Sequence, residues 1–332
     1  MKVEQSQGGS LSRLCSLSGK SRQAYYKQRI LEEDEPLQDD IIIQEVLGYR
    51  KLQPRIGGKK LYVLIKPFLA ARRIKLGRDK FLAILTLYGL QLERRRRNKP
   101  RTTDSNHWMK KYDNLIKEWA PTHSDQLWVS DITYLELADK DAFLSVVTDA
   151  WSRKIVGFHV SESLKAEGCI QALEMAIAGC KNTKDLIHHS DRGVQYCCQD
   201  YVDILKENEI KISMTQSGDP RENAIAERVN GILKTELLPS KFTNLEDART
   251  TVEKAVNIYN YLRPHSSISM LTPALVHGRK LKLKRLWKSY HKTKLQPPAV
   301  IHKNEPILKE KRSKKRKHVS KWTTLRVPHL LT

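Results

Sequence analysis

The apolar residues between 37 and 92 follow a helical spacing. Leucine, isoleucine and phenylalanine recur at i, i+3, i+4 and i+7 over 59–70, and a similar pattern returns over 78–90. An earlier segment opens at Ile41, and a proline- and glycine-containing turn at 54–58 ends it. Three short amphipathic helices with such a turn predict a helix-turn-helix-like unit, and an ordinary small bundle fits the pattern equally well.

Strand and helix signals alternate through the middle of the chain. The predicted strands lie at 127–137, 142–149, 154–160, 186–190 and 210–214, and the predicted helices at 165–179, 198–208, 221–238 and 245–262. Thr243 and Glu246 fit a capping box at the start of the last helix. Three hairpin-like strands followed by alternating helix and strand predict a mixed α/β sheet with helices packed on it.

Charge divides the 332 residues into distinct segments. The formal net charge is +23, yet residues 104–275 carry −6, whereas 37–103 carry +12 and 276–332 carry +16. Basic flanks around an acidic core indicate a polyanionic partner such as nucleic acid, or simply a sticky, soluble surface. The predicted parts are an N-terminal arm at 1–36 with a short helix at 21–31, the helical domain at 37–92, a basic linker and helix at 93–124, the α/β core at 125–275 and a basic, flexible tail at 276–332.

Several classes of protein are excluded by composition. No apolar run approaches the roughly 18 residues that a membrane span needs, and the N-terminus lacks the apolar core of a signal peptide. Five cysteines without paired spacing argue against a disulfide framework and against structural zinc. We therefore expect a cytoplasmic protein.

Two aspartates in the α/β segment stand where carboxylates need a reason. Asp131 lies inside an apolar, β-branched strand, where an unpaired charge is costly. Asp191 follows the strand at 186–190 and precedes a glycine-containing loop, the position where α/β proteins place functional side chains.

A third carboxylate, Glu227, lies on a predicted helix. On a helical wheel of about 100° per residue, Glu227 shares one face with Asn223, Asn230 and Lys234, opposite the core-facing stripe. Alone, this face is typical of a solvated surface. Together with Asp131, however, the carboxylates form a set of hard oxygen ligands suited to Mg²⁺ or Mn²⁺, and a cation would relieve their repulsion.

The spacing of these residues resembles a known family. Asp191 and Glu227 are separated by 35 residues, as in the D,D(35)E signature of retroviral-integrase-like DDE transposases. The segments and residues that resemble the OrfB-type transposases of bacterial insertion sequences are 57–62, 128–134, 189–196, 220–228, Lys234, 261–265 and 271–273. The resemblance runs from about residue 40 to 275. Glu222 stands where the family often has aspartate, and the basic tail is longer than the family leads us to expect.

The resemblance implies an RNase H-like fold whose sheet carries Asp131 and Asp191, with Glu227 on a packed helix. It implies that the three carboxylates hold two Mg²⁺ ions, that water cleaves the element end to free a 3′-OH, and that this hydroxyl attacks another phosphodiester. The implied partners are double-stranded DNA, further copies of the chain, and an OrfA-type protein, separate or fused by frameshifting.

Other residues receive roles from the same resemblance. Lys234 and Asn223 would contact the DNA end, His189 would position Asp191 or approach substrate, and Gly193 would allow the turn after Asp191. The exposed basic linker that we expect to hold element DNA contains Arg94, Arg95, Arg96 and Arg97.

Two other functions fit the same residues. An RNase H-like, metal-dependent nuclease would use these carboxylates to hydrolyse without joining. A catalytically silent DNA-binding derivative of a transposase is the second alternative, and the three intact carboxylates argue against it.

Overall fold

A computed structural model of the chain describes residues 11–93, 107–117, 119–216, 220–279 and 281. The arginines of the predicted linker, Arg94 to Arg97, lie outside these ranges, as does most of the predicted basic tail. Within the described part of the chain, no helix has both the length and the apolar character that a bilayer crossing requires.

Helices occupy the whole N-terminal part that the structure describes. They are α1 (Leu11–Leu17), α2 (Arg22–Leu52), α3 (Gly58–Ala71) and α4 (Arg78–Leu87). The predicted short helix at 21–31 is wrong, because α2 continues through Pro36 as one helix of 31 residues. Ser21 caps its first turn by accepting a hydrogen bond from the Ala24 amide at 3.1 Å. Pro36 removes one backbone donor, and good helix formers on both sides carry the helix through it.

The second half of α2 packs with α3 and α4 as the helical unit, the name kept below for these three helices. The buried side chains at its centre include Ile42, Val46, Leu61, Ile65, Phe81 and Leu85. The stripe predicted over 59–70 thus faces a real core, and the helical part of the prediction is confirmed. Its role in binding DNA stays a prediction.

The segment that precedes the sheet consists of bends, turns and irregular backbone where it is described. No helix forms in residues 107–117 or 119–124, so the helix predicted within 93–124 does not appear in the part that is described. The reason is tertiary: the carbonyl oxygen of Asp113 accepts a hydrogen bond from the Met214 amide at 3.3 Å, and the Leu115 amide donates to Ser213 Oγ at 2.9 Å. The segment is therefore bonded alongside a strand of the sheet.

Five strands form one mixed sheet. They are β1 (Leu127–Glu136), β2 (Asp141–Asp149), β3 (Ile155–Ser161), β4 (Ile187–Ser190) and β5 (Lys211–Met214). Their order is β3-β2-β1-β4-β5, with β1, β2 and β3 antiparallel and β1, β4 and β5 parallel. All five predicted strands are present, and the RNase H-like α/β fold that the resemblance implies is confirmed.

Helices cover both faces of this sheet. They are α5 (Glu167–Ala178), α6 (Val194–Cys197), α7 (Gln199–Glu207), α8 (Ala224–Ile232), α9 (Leu245–Asn257) and α10 (Pro273–Val276). Because side chains alternate along a strand, Val146 of β2 faces the cluster built with α8 and α9, whereas Val147 faces the cluster built with α5 and α7.

The two long helices predicted over 221–238 and 245–262 each change geometry near their end. The π-helical turn Leu233–Leu237 follows α8, and the π-helical turn Ile258–Leu262 follows α9. Such wide turns are rare in proteins, and those that occur are often found at functional sites.

The cap of α9 differs by one residue from the predicted capping box. Asn244 is the N-cap: its Oδ1 accepts a hydrogen bond from the Asp247 amide at 2.9 Å. Asp247 Oδ2 in turn accepts from the Thr243 amide at 2.9 Å. The assignment to Thr243 and Glu246 is wrong, because asparagine is an equally good cap and Thr243 supplies its backbone amide instead.

We therefore expect Asn244→Ala to lower the free energy of unfolding by about 1 kcal/mol, since it leaves the Asp247 amide without its partner. Glu246→Ala, on the same turn, serves as the matched control and should change it by less than about 0.5 kcal/mol. Urea unfolding followed by circular dichroism measures both. An equal or larger loss for Glu246→Ala would restore the predicted box.

Candidate functional site

The parallel register of β1 and β4 sets two aspartates side by side. Val129 pairs with His189, and the pairs before it keep the same offset of 60 residues. Continued by two residues, this offset matches Asp131 with Asp191, which directly follows β4. Asp131 lies within β1, and this register brings it beside Asp191 at the point where β4 ends.

Asp131 sits in an environment that disfavours its charge. Burial, followed by the neighbouring charge of Asp191, raises its pKa from 3.8 to about 7. Two hydrogen bonds oppose this shift: Asn230 Nδ2 donates to Oδ2 at 2.9 Å, and the Ile132 amide donates to Oδ1 at 2.9 Å. Glu227 adds a smaller repulsion. The three carboxylates are thus electrostatically coupled.

Asp191 is oriented by the loop that follows it. Its Oδ1 accepts a hydrogen bond from the Gly193 amide at 3.0 Å. Gly193 has φ −63° and ψ 146°, a backbone that any residue adopts. A Cβ at this position would lie 3.0 Å from Gln195 Oε1 and 3.1 Å from Asp191 Oδ1. A side chain here would therefore be tight against Gln195 and Asp191, whereas the backbone conformation of Gly193 does not itself require glycine.

Helix α8 is attached to β1 by two asparagines. Asn223 Nδ2 donates to the carbonyl oxygen of Ser130 at 2.9 Å, and Asn230 Nδ2 donates to Asp131. Both asparagines are buried, so the face that looked solvated lies against the sheet instead. Glu227 remains exposed on that face, and Lys234 is half-buried. The amide nitrogen of Asn223 is thus already bonded within the fold. Its contact with DNA stays a prediction.

Two buried histidines lie in β4 before Asp191. His188 Nε2 is 2.7 Å from Ser130 Oγ and 2.9 Å from the Tyr201 hydroxyl, and His189 Nδ1 is 2.9 Å from Ser213 Oγ. Burial lowers the pKa of His188 to about 3 and that of His189 to about 4, so both rings are neutral near pH 7. The hydrogen bond of His189 to Ser213 joins β4 to β5 beneath the site.

Sequence reasoning missed a second polar group. The possible ligand atoms of Asp125, Asp149 and His277 all lie within 4.8 Å of one another, and no other trio in the described ranges is this close, Asp131, Asp191 and Glu227 included. Asp149 is fully buried, and its Oδ1 accepts from the amide and the hydroxyl of Ser152 at 2.7 and 2.6 Å. These bonds stabilise the turn after β2. The three residues are too far apart in sequence for a spacing motif.

The carboxylates of Asp131, Asp191 and Glu227 suit a divalent cation. Hard oxygen ligands that repel one another in a partly desolvated place are stabilised when a cation neutralises them.

Comparison with known proteins agrees with this geometry. Two family models, each described as an integrase core domain, match residues 121–220 and 208–273. An uncharacterized 31 kDa protein of insertion element IS600 from Shigella sonnei is 31% identical over 275 residues, which cover 79% of this chain and 96% of that protein. Transposase InsF of insertion sequence IS3A from Escherichia coli K12 is 33% identical over 178 residues, covering 53% of this chain and 62% of InsF.

A solved structure also resembles the chain. The catalytic core domain of HTLV-2 integrase, in complex with magnesium, aligns over 47% of this chain and 97% of its own, with 22% identity and a TM-score of 0.37.

The raised pKa of Asp131 gives a stability that depends on pH. Because the folded protein holds a proton that the unfolded chain releases at about pH 4, the stability of the metal-free protein falls as pH rises from about 4 to 7. We expect Asp131→Asn to increase the free energy of unfolding at about pH 8 by about 1–3 kcal/mol, with the gain shrinking towards pH 4. Urea unfolding in a chelating buffer measures it.

The control is Asp200→Asn, which changes an exposed carboxylate and should leave the pH profile as it is. If Asp131→Asn were less stable than the parent at pH 8, the charge of Asp131 would not be disfavoured in the fold.

Proposed function

The chain belongs to the insertion-sequence transposases with an integrase core, and on this premise we propose that Asp131, Asp191 and Glu227 are the residues that catalyse its polynucleotidyl transfer. The observation that carries the proposal is the parallel register of β1 and β4, which matches Asp131 with Asp191. The coupling of Glu227 to the charge of Asp131 supports adding it to the pair.

Members of the family depend on divalent metal, and we propose Mg²⁺, two ions per site, as the form used here. The fit is chemical: the pKa of Asp131 is raised by burial and by Asp191, so a cation among these oxygens would offset the repulsion. When bound, such ions supply Lewis-acid stabilisation of the attacking and leaving oxygens. Asp131 and Asp191 would hold them from the sheet, and Glu227 from α8.

The proposed reaction has two displacements at phosphorus. A water oxygen first attacks the phosphodiester at the element end; the bond from phosphorus to the terminal O3′ breaks, and that oxygen leaves as a 3′-OH. The oxygen of this hydroxyl then attacks a phosphodiester of the target strand and displaces its O3′. The same three carboxylates would serve both steps. The Asn223 and Asn230 contacts keep α8, and with it Glu227, against β1.

Double-stranded DNA is the partner that we propose for the basic segments on either side of the core. Residues 37–103 carry +12 and residues 276–332 carry +16. Contacts between either segment and DNA phosphates would release counterions from the DNA, which favours binding. We also propose that further copies of the chain assemble on the DNA in the bacterial cytoplasm, with or without an OrfA-type partner.

Neutralising each carboxylate tests the catalytic proposal. Asp131→Asn, Asp191→Asn and Glu227→Gln should each reduce end cleavage and joining by about 100-fold or more, because each removes an anionic oxygen ligand for the ions that would stabilise the transition state. Labelled duplexes that end in the inverted repeat beside the gene, with and without a pre-cut 3′ end, measure the two steps in Mg²⁺.

The matched control is Asp125→Asn, which neutralises a carboxylate of the second polar group and should leave both rates within about twofold. The proposal fails if Asp125→Asn is inactive while Asp131→Asn retains activity. Cleavage by the parent protein without joining of pre-cut ends would identify a nuclease instead.

We propose that Lys234 contacts the DNA end. It is half-buried and lies on the π-helical stretch that extends α8 beyond Glu227. Lys234→Ala should weaken binding to a terminal duplex and make the dependence of log K on log salt shallower by about 1, whereas Lys234→Arg should keep the slope. Fluorescence anisotropy across a salt series measures this, with exposed Lys241→Ala as the control. An unchanged slope for Lys234→Ala would rule out a phosphate contact.

A further inference from the structure

We propose that Glu236 and Lys60 form a positioning contact that holds the helical unit in a set relation to the helix bearing Glu227, and so determines which phosphate of bound DNA reaches the carboxylates. This inference rests on the proposed function. It concerns Glu236 and Lys60, which lie outside the proposed catalytic set.

Glu236 lies at the centre of a three-residue ion cluster. Arg263 is only 1% exposed, and it donates from Nε to Oε2 and from Nη2 to Oε1 of Glu236, both at 2.9 Å. From the helical unit, Lys60 Nζ lies 3.3 Å from Oε1 and 3.5 Å from Oε2. The side chains of Lys60 and Glu236 are each 17% exposed. A bidentate pair of this kind fixes the carboxylate so that Lys60 meets it in one geometry.

The backbone of Glu236 makes a second contact with the same unit. The amide of Arg55, in the turn between α2 and α3, donates to the carbonyl oxygen of Glu236 at 3.3 Å. The π-helical turn Leu233–Leu237 contains Glu236 and also Lys234. In a π-helix the carbonyl groups are displaced from their usual partners, and here one of them serves the helical unit.

The cluster is close enough to the catalytic helix to be coupled to it. Glu236 belongs to the continuous helical stretch that begins with α8 and carries Glu227. The pKa of Lys60 is lowered chiefly by burial and by Arg263, and also by Arg228, the residue that follows Glu227. The charges that surround Lys60 therefore extend to the neighbour of a proposed catalytic residue.

One helical stretch thus makes two sets of contacts. Asn230 bonds to Asp131 of the sheet, and Glu236 bonds to Lys60 of the helical unit. A DNA end held by the helical unit would be placed relative to the carboxylates through this stretch. The same contact would leave the intrinsic affinity of the unit for DNA unchanged.

Lys60 is the member to change. Replacing Glu236 or Arg263 would strand a buried charge, which endangers the fold. Lys60→Met removes one partly exposed ammonium group and leaves the neutral Arg263–Glu236 pair intact. Lys60→Arg keeps the charge, and Lys241→Met, which neutralises an exposed lysine outside the basic segments, is the control.

The experiment uses the full chain and a labelled duplex that ends in the inverted repeat beside the gene. We expect Lys60→Met to bind the duplex within twofold of the parent and to melt at the same temperature. At saturating DNA its end cleavage should slow at least tenfold, with products spread over neighbouring phosphates. Lys60→Arg should restore the rate and the single product, and Lys241→Met should cleave at the parental position and rate.

Cleavage by Lys60→Met at the parental position and rate would overturn the inference, as would a loss that Lys60→Arg does not recover. Asp191→Asn is run beside it. If Asp191→Asn is inactive while Lys60→Met matches the parent, only the positioning contact fails; if Asp191→Asn stays active, the proposed function itself fails.

Discussion

Repulsion between Asp131 and Asp191 is built into this fold, because the parallel register of β1 and β4, continued by two residues, brings the two carboxylates side by side. The pKa of Asp131 records the consequence: burial and the second aspartate raise it to about 7. The contacts that hold this pair in place include the Asn230 amide and the backbone amides of Ile132 and Gly193. A site held in this way is ready for a cation and less stable without one.

Two neutral histidines lie in the strand that leads to Asp191. His188 and His189 are buried in β4, and burial lowers the pKa of both so that neither ring is charged near neutral pH. Their hydrogen bonds instead tie β1, β4, β5 and α7 together through Ser130, Ser213 and Tyr201. These neutral rings therefore connect the elements around Asp191 without adding positive charge.

Helix α8 and its π-helical extension connect the site of the carboxylates to the helical unit. Buried asparagines attach the first part to β1, and Glu236 attaches the last part to Arg263 and Lys60. Glu227 lies between these two attachments, exposed and close enough to add to the repulsion on Asp131. A side chain on a helix fixed at both ends can be held in position without contacts of its own.

Local order along the chain determined most of the elements and the choice of carboxylates. Strand and helix periods depend on neighbours a few residues apart, so the five strands, the helices that flank them and the 35-residue spacing from Asp191 to Glu227 are visible in the sequence. Competition between neighbouring residues decided the details that prediction missed, such as the continuation of α2 through Pro36 and the shift of the α9 cap to Asn244.

Only the tertiary structure decided the contacts between distant residues. Asn230 meets Asp131 across 99 positions, Lys60 meets Glu236 across 176, and Asp125, Asp149 and His277 converge from three separate elements. Such contacts follow from how the sheet and helices pack together, which no local pattern records.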